Sequence, residues 1–278
     1  MAQAITEQCI ESIKKLYDSE KAMIVIVDNS SPNGSGIQLK QKYENEKNII
    51  VLLNEKNEGF AKGNNKGYEF LKYHYDMDYI IVMNNDVIIE QTDFLNRIDE
   101  IYRQKDFAVL GPDIYCPYTG IHQNPAHIKA LTRHEVLSHK ALLEKKERHF
   151  AFHFYKHCLG EKVRSLFHKP SGTAVKKEKI EKYIENPVLH GACYIFSKDF
   201  ISKREYAFCP DTFLYFEEDI LHAECTRSGL KMLYSPDIII NHLEDVATNM
   251  RFKSKYKKAK MKNRGMLNSI EVLLKLSY

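Results

Sequence analysis

Three consecutive acids, Glu217, Glu218 and Asp219, follow Tyr215 and Phe216 and precede a helix expected to end at Gly229. Carboxylates crowded beside aromatic rings lose solvation and repel one another, which raises and separates their pKa values and suits one of them to general-base work. An acidic helix start, favoured by the helix dipole, is the plainer reading of the same residues. A second cluster, Asn84-Asn85-Asp86, ends the apolar run Tyr79–Met83. A hard divalent cation takes oxygen ligands and commonly bridges a protein carboxylate to a diphosphate, a task open to Asp86; an Asn/Asp turn is the alternative. Asp28 closes the run IVIV, where a carboxylate at a strand end can accept hydrogen bonds from a nucleobase or ribose, or simply form a turn or cap. His242 follows DIII and Asn241, and a lone histidine is more often structural than a ligand. Between these lies NEGFAKGNNKG, residues 57–67, whose glycines allow close backbone approach and whose helix-start amides, with Lys62, can face phosphates. It matches neither a Walker loop nor a GxGxxG fingerprint, so neither ATP nor a dinucleotide is inferred.

These residues need strands to carry them. Ile5, Cys9, Ile13 and Leu16 recur at helical spacing over about 3–18, and Met23–Val27 is a β-branched strand. The alternation continues with a helix at 35–46, a strand at Asn48–Leu53, a Gly-rich turn, a helix to about Tyr73 and a strand at Tyr79–Met83. Such alternation predicts an α/β chain with a parallel, doubly wound sheet whose ligands sit beyond the carboxyl ends of the strands. Residues 115–185, rich in His, Lys and aromatics, predict a helical insertion. Strands resume at Ala192–Phe196 and Met232–Tyr234.

At 278 residues and 44% hydrophobic composition the chain can bury a large core. A net charge of +4 gives no global attraction to nucleic acid, and no recognition motif accompanies the local lysines. The six cysteines lie far apart without a CxxC pair, which excludes a zinc ribbon and a small disulfide scaffold and favours a reducing, cytoplasmic setting. No apolar run approaches the roughly 20 residues of a membrane span, and MAQAITEQC lacks the features of a signal peptide.

Taken in order, VDNSSPNGS (27–35), NEGFAKGNNKG (57–67), VMNND (82–86), HGACYIF (190–196), FLYFEED (213–219) and RSGLKMLYSPDIIINH (to 242) resemble the family 2 glycosyltransferases, over roughly residues 5–245. The resemblance implies a GT-A fold, a mixed sheet flanked by helices, occupying 1–250. It implies transfer of a sugar from a UDP- or dTDP-sugar to a glycan or lipid-linked acceptor, with inversion, in capsule, O-antigen or cell-wall polysaccharide synthesis. Asp28, Asn29, Ser30, Asn57, Gly59, Lys62, Asn64, Asn85 and Asp86 would line the nucleotide-sugar site. Asp86 and His242 would hold Mg²⁺ or Mn²⁺, and His190, Gly191 and Ala192 would face the acceptor. Glu218 is favoured as the base, with Asp219 and Glu217 beside it.

The chain departs from the family in two ways. Asn84 and Asn85 stand where a DxD-type arrangement is usual. The family strand that normally precedes the first helix is not found, so the sheet is expected to lack a strand beside the donor site and to expose an association-prone edge. That departure motivates the rival reading of a truncated, noncatalytic partner protein; a nucleotidyltransferase is the other rival. Finally, residues 251–278 predict a basic helical tail. Lys253, Lys255, Lys257, Lys258, Lys260 and Lys262, followed by Leu267, Ile270, Leu273 and Leu274, would attach it peripherally to an anionic membrane.

Overall fold

Short β-branched runs form the first half of the structure, a computed structural model that describes residues 3–156, 177–244 and 255–277. Helix α1 (Gln3–Lys14) leads to β1 (Ile24–Asp28), and α2 (Ser35–Lys42) leads to β2 (Ile49–Leu53). β1 and β2 pair in parallel, Ile24 opposite Ile49 and Asp28 opposite Leu53. Helix α3 (Gly59–His74) then packs across β1 and returns the chain to β3 (Tyr79–Met83). Asn84–Asp86 connect β3 to the short β4 (Val87–Ile88), followed by α4 (Phe94–Lys105), β5 (Val109–Cys116) and β6 (Ile121–His122). Next come α5 (Arg133–Arg148), β7 (Ile184–Glu185), β8 (Cys193–Ser197), α6 (Lys198–Lys203), α7 (Glu217–Arg227), β9 (Met232–His242) and α8 (Lys255–Ser277).

The main sheet runs β3-β8-β5-β9-β4, with β6 added to β5 and β7 to β9. It is mixed, as a GT-A sheet is, and corrects the expectation of a wholly parallel one. β8 is antiparallel to both β3 and β5, whereas β5 and β9 are parallel. The reason is where β8 starts. The insertion returns the chain to the far end of β3, where the Asn84 N–H donates to the Ala192 carbonyl at 2.9 Å, and β8 must run back from there. β5 contains Gly111-Pro112, which conceals a central strand behind residues usually found at edges or bulges. The β5–β9 register shifts between Pro112 and Asp113, and β9 extends beyond the expected Met232–Tyr234 as far as His242.

Aromatic and aliphatic side chains fill both faces of this sheet. Tyr68, Ile80, Tyr194, Phe196, Phe200 and Phe208 lie on the α3 side; Phe94, Ile98, Phe107, Leu110, Ile195 and Ile240 lie on the α4 side. A buried ion pair, Arg204 Nη2 to Glu224 Oε2 at 2.5 Å, ties α7 to the segment after α6. The insertion is helical at α5, whose start is closed by a reciprocal capping box between Thr132 and Glu135. β6 and β7 lie within the predicted helical span 115–185, whose residues 157–176 are outside the described part.

The carboxyl-terminal helix is not a free tail. Ile270 and Leu273 are buried, and Leu267 and Leu274 pack with them against Val136 and Leu143 of α5 and Ile220 of α7. Arg264 Nε bonds Glu147 Oε1 at 2.6 Å, and Lys262 sits over the Tyr215 ring. The apolar face expected to enter lipid therefore covers the protein instead, because burying it against two helices removes the same area from water without a membrane. Residues 245–254, including Lys253, lie outside the described part. No described helix is long and apolar enough to cross a membrane.

β1 and β2 form a separate two-stranded sheet. β1 does not pair with β3, and a cavity of about 580 Å³ lies between them, lined by residues of both strands and of α1 and α3.

Leu273→Ala should lower unfolding free energy by about 2–4 kcal/mol, read by chemical denaturation. A loss below about 0.5 kcal/mol, the usual range for a surface change, would mean that α8 is not an integral part of the core.

Candidate active site

The carboxyl end of β1 is tied down by one amide. Asn29 donates to Asn57 Oδ1 (3.2 Å) and the Gly59 carbonyl (2.7 Å), and it accepts from Asn54 Nδ2 (3.1 Å) and the Glu58 N–H (3.0 Å). All its hydrogen-bonding capacity serves to hold the β1, β2 and α3 ends together. Asn57 Oδ1 also receives the Gly59 N–H at 2.9 Å. Gly59 itself has φ 87°, and a Cβ there would lie 2.2 Å from the Phe213 carbonyl. Glycine is thus required, and the adjacent Phe60 N–H donates to that carbonyl at 2.7 Å. This contact joins the 57–60 turn to the loop carrying the acids.

Asp28 is buried at the strand end, with Oδ2 accepting from the Ser31 N–H at 3.0 Å and Oδ1 without a partner. Ser30 is at φ 58°, its hydroxyl on the Glu55 carbonyl. Lys62 is exposed on α3, while Asn64 donates to the Phe60 carbonyl and lines the cavity beside β1. Asn85 turns toward α1, donating to Thr6 Oγ1 at 2.9 Å.

Asp86 is buried and faces His242. The ladder between β4 and β9 sets Val87 opposite His242, and the Leu243 N–H donates to the Asp86 carbonyl at 3.0 Å. His242 Nε2 then stands 3.3 Å from Asp86 Oδ1. Two further residues, Gln123 and Glu244, determine what that distance means. The Gln123 amide nitrogen donates to Glu244 Oε1, which turns Gln123 Oε1 toward His242 Nδ1 at 2.8 Å. Nδ1 must therefore carry the proton. In the neutral ring Nε2 presents its lone pair to a carboxylate oxygen, and two acceptors at that separation require a cation or a proton between them. Sequence reading missed Gln123 because a lone glutamine outside any motif carries no signal. No group of three or more His, Cys, Asp or Glu among the described residues forms a complete metal cage. One carboxylate and one imidazole instead fit a cation that keeps open positions for diphosphate oxygens.

The acids lie opposite. Tyr215 and Phe216 hold φ 79° and 65°, a sparsely populated conformation for aromatic residues that turns the chain sharply into α7. A Cβ at Gly191 would lie 2.7 Å from Glu218 Oε1, so the carboxylate rests in the space glycine leaves. Burial raises the Glu218 pKa, and the neighbouring Asp219 adds to the rise. Glu217 is buried too, its pKa pushed up to about 8 by burial and then by Glu218, with Oε1 unpartnered. Burial lifts Asp219 to about 6. The pKa values are thus raised and split, as the crowding predicted.

His190, Gly191 and Ala192 bridge the two halves. The His190 ring lies against His242, centroids 5.9 Å apart, and its Nδ1 accepts the Ala192 N–H at 3.2 Å. Burial, followed by the nearby His242 and Lys177, depresses its pKa to about 4, so the ring is neutral at pH 7 and carries its proton on Nε2. Asn124 Oδ1 receives the His190 N–H at 2.9 Å, anchoring the turn to the insertion. Contacts therefore run from Asn29 through Gly59 to Phe213, in the loop that leads to the acids, and from Glu218 through Gly191 and His190 to His242 and Asp86. Lys62 and Ser30 make none of these contacts.

Fold and site together define a chain of the GT-A class, and comparison with known families is more specific. Residues 2–204 match the family described as "Glycosyl transferase family 2", and the chain belongs to that family. The matched span ends before Glu217–Asp219 and His242. No curated protein matches the sequence. The fold is similar to that of mannosyltransferase PcManGT from Pyrobaculum calidifontis, solved with GDP-Man and Mn²⁺. That likeness has a TM-score of 0.53 at 10% identity and covers 98% of this chain and 70% of the other. It is also similar to that of GalNAc-T7, solved with UDP, GalNAc and Mn²⁺, with a TM-score of 0.50 at 13% identity over 84% of this chain and 40% of the other.

The raised Glu217 pKa makes stability pH-dependent. An unfolded glutamate loses its proton near 4.5 while the folded one keeps it to about 8, so stability should fall as pH rises through that window and level off above it. Glu217→Gln removes this dependence. Its melting temperature relative to the parent should be nearly unchanged at pH 4.5 and higher by roughly 3 °C or more at pH 8, measured by calorimetry; a pH-independent difference would contradict the assignment.

Proposed function

We propose that the protein transfers a sugar from a UDP- or dTDP-sugar to a hydroxyl of a glycan or lipid-linked acceptor, with inversion, in cell-surface polysaccharide synthesis at the cytoplasmic side of a membrane. The observation that carries the metal-assisted reading is the Asp86–His242 pair, a buried carboxylate and an imidazole Nε2 3.3 Å apart, with Nδ1 turned to Gln123. Asp86 and His242 would hold Mg²⁺ or Mn²⁺, which supplies neutralisation of the charge that develops on the diphosphate.

The other roles follow from the residues themselves. Asp28 Oδ1, buried and unpartnered, suits a nucleobase N–H. Asn29 keeps the loop beneath it rigid, and Gly59 allows the donor-side turn to abut the acid-bearing loop. Transfer breaks the bond from the anomeric carbon to a phosphate oxygen while the acceptor hydroxyl forms the new one and loses its proton. Glu218 takes that proton in our account: it rests against Gly191, next to the His190 turn, and a raised pKa brings a carboxylate closer to that of the group it deprotonates. Glu217, protonated at neutral pH, is unsuited to accept a proton there and acts as a neutral hydrogen-bonding neighbour. Asp219 is the less favoured base because it is Glu218 whose carboxylate occupies the space beside Gly191. Neutral His190, with its Nε2 proton, is suited to orient the acceptor oxygen.

Nucleotide release from a panel of UDP-, dTDP- and GDP-sugars with lipid-linked acceptors tests the whole reading. Release should require Mn²⁺ or Mg²⁺ and fall at least about 100-fold in Asp86→Ala and in Glu218→Gln. Pyrophosphate formation from a nucleoside triphosphate and a sugar phosphate would instead indicate nucleotidyl transfer. Gln123→Met should weaken Mn²⁺ binding in the presence of UDP by roughly 10-fold or more, since outer partners of a histidine ligand fix its tautomer. Titration calorimetry reads that change, and unaltered Mn²⁺ affinity would remove Gln123 from the site.

A further inference from the structure

One end of the α5–α8 pair carries charge that the fold leaves unused. Residues 145–156 and 255–264 together hold ten lysines and arginines and one acid, Glu147. Glu147 is already committed, accepting from Arg264 Nε at 2.6 Å and from Asn263 Nδ2 at 3.0 Å. Glu144, the next acid back along α5, faces Lys140 at 3.8 Å. Lys145, Lys146, Arg148 and Lys156 are exposed, and none of the four has an ion-pair partner among the described residues.

The same end is aromatic. Residues 150–156 resume as helix after the turn at His149, and Tyr256 of α8 clamps them. Its ring stacks on Tyr155 with centroids 6.3 Å apart and meets Phe150 and Phe154 in T-shaped contacts at 5.3 and 5.1 Å. Phe152 lies two residues from each of those phenylalanines, so on a helix it points away from α8. It is 66% exposed, as is Tyr155. A phenyl ring has no hydrogen-bonding group, so a dissolved polyanion that paired with the lysines would still leave Phe152 in water. A partner that is negative at its surface and apolar just beneath takes both, and an anionic bilayer has that arrangement.

We propose that this end of the molecule docks on an anionic membrane surface, with Lys145, Lys146, Arg148 and Lys156 at the lipid phosphates and Phe152 and Tyr155 in the headgroup region. The leucine face of α8 stays in the core; the contact is made by the end of the helix pair. Docking follows from exposure and charge alone, whereas its use rests on the transfer reading. Lys262 covers Tyr215 beside the acids and stands six residues along α8 from Tyr256, about 9 Å at helical rise. A docked chain therefore holds its acids close to the bilayer, within reach of the sugar of a lipid-linked acceptor.

The test uses the full chain and vesicles of phosphatidylcholine, alone or with one third phosphatidylglycerol. Cosedimentation should be at least about 10-fold tighter with the anionic vesicles and should weaken as salt rises. Lys145→Glu combined with Lys146→Glu should cost roughly 10-fold in that binding. Lys40→Glu combined with Lys203→Glu, the same charge change at exposed positions of α2 and α6, should cost less than about twofold. The chain contains no tryptophan, so Phe152→Trp supplies a single reporter. Its emission should shift to the blue on anionic vesicles and be quenched by brominated acyl chains. No binding, equal binding to both vesicle types, equal loss in the two charge pairs, or an indole unmoved on bound vesicles would each overturn the proposal. Heparin that shifts the indole as vesicles do would assign the surface to a polyanion, and concentration-dependent dimers that shift it without vesicles would assign it to a second copy; either result overturns the proposal too. Vesicle binding with the indole buried, in a chain that releases no nucleotide, upholds docking and contradicts only the transfer reading.

Discussion

The two-residue ladder between β4 and the end of β9 holds Val87 opposite His242, and the buried Asp86 carboxylate can stand beside that imidazole only because of it. β9 reaches so far because it is carried along β5 through a register shift after Pro112. The insertion then contributes Gln123, which orients the imidazole, and Asn124, which anchors the His190 turn. A register slip of one residue in β9 would turn His242 to the other face of the sheet and leave Asp86 buried without a partner. The site is thus a property of strand pairing across the whole sheet and not of any one motif.

Across from this pair, the fold accepts costs that a purely structural segment would avoid. Two aromatic residues in left-handed conformation, a carboxyl with its pKa near 8 and an orphaned carboxylate oxygen at Asp219 occur within five residues. Such strain and desolvation lower stability wherever they occur, and natural chains concentrate them at sites that use them. α8 closes over the outer side of this loop: Gly265 packs against the Leu214 carbonyl and Lys262 covers Tyr215. The carboxyl-terminal helix thereby helps hold the strained turn as well as the core.

Much of this was legible in the sequence where the pattern was local. β3 was read at its observed bounds, and β1, β2 and β8 within one residue, because β-branched runs flanked by polar residues have few other uses. The crowded acids announced their own titration. What escaped was nonlocal. β5 hid behind Gly111-Pro112, the sense of β8 depended on where a long insertion brings the chain back, and α8 looked like a lipid-binding helix because the surfaces of α5 and α7 that cover Ile270 and Leu273 cannot be seen in its own periodicity. Asn29, read as a donor contact, proved to have every hydrogen-bonding group engaged in bracing its loop. Family membership rests on residues 2–204, whereas the acids and His242 enter through geometry.

The most direct test of the account is anomalous diffraction at the manganese edge from crystals grown with Mn²⁺ and UDP. The account predicts one strong peak in contact with Asp86 and His242, bridged to the diphosphate, with the base of the nucleotide at Asp28. A peak that avoids either side chain, or a nucleotide bound away from Asp28 and Asp86, would contradict it.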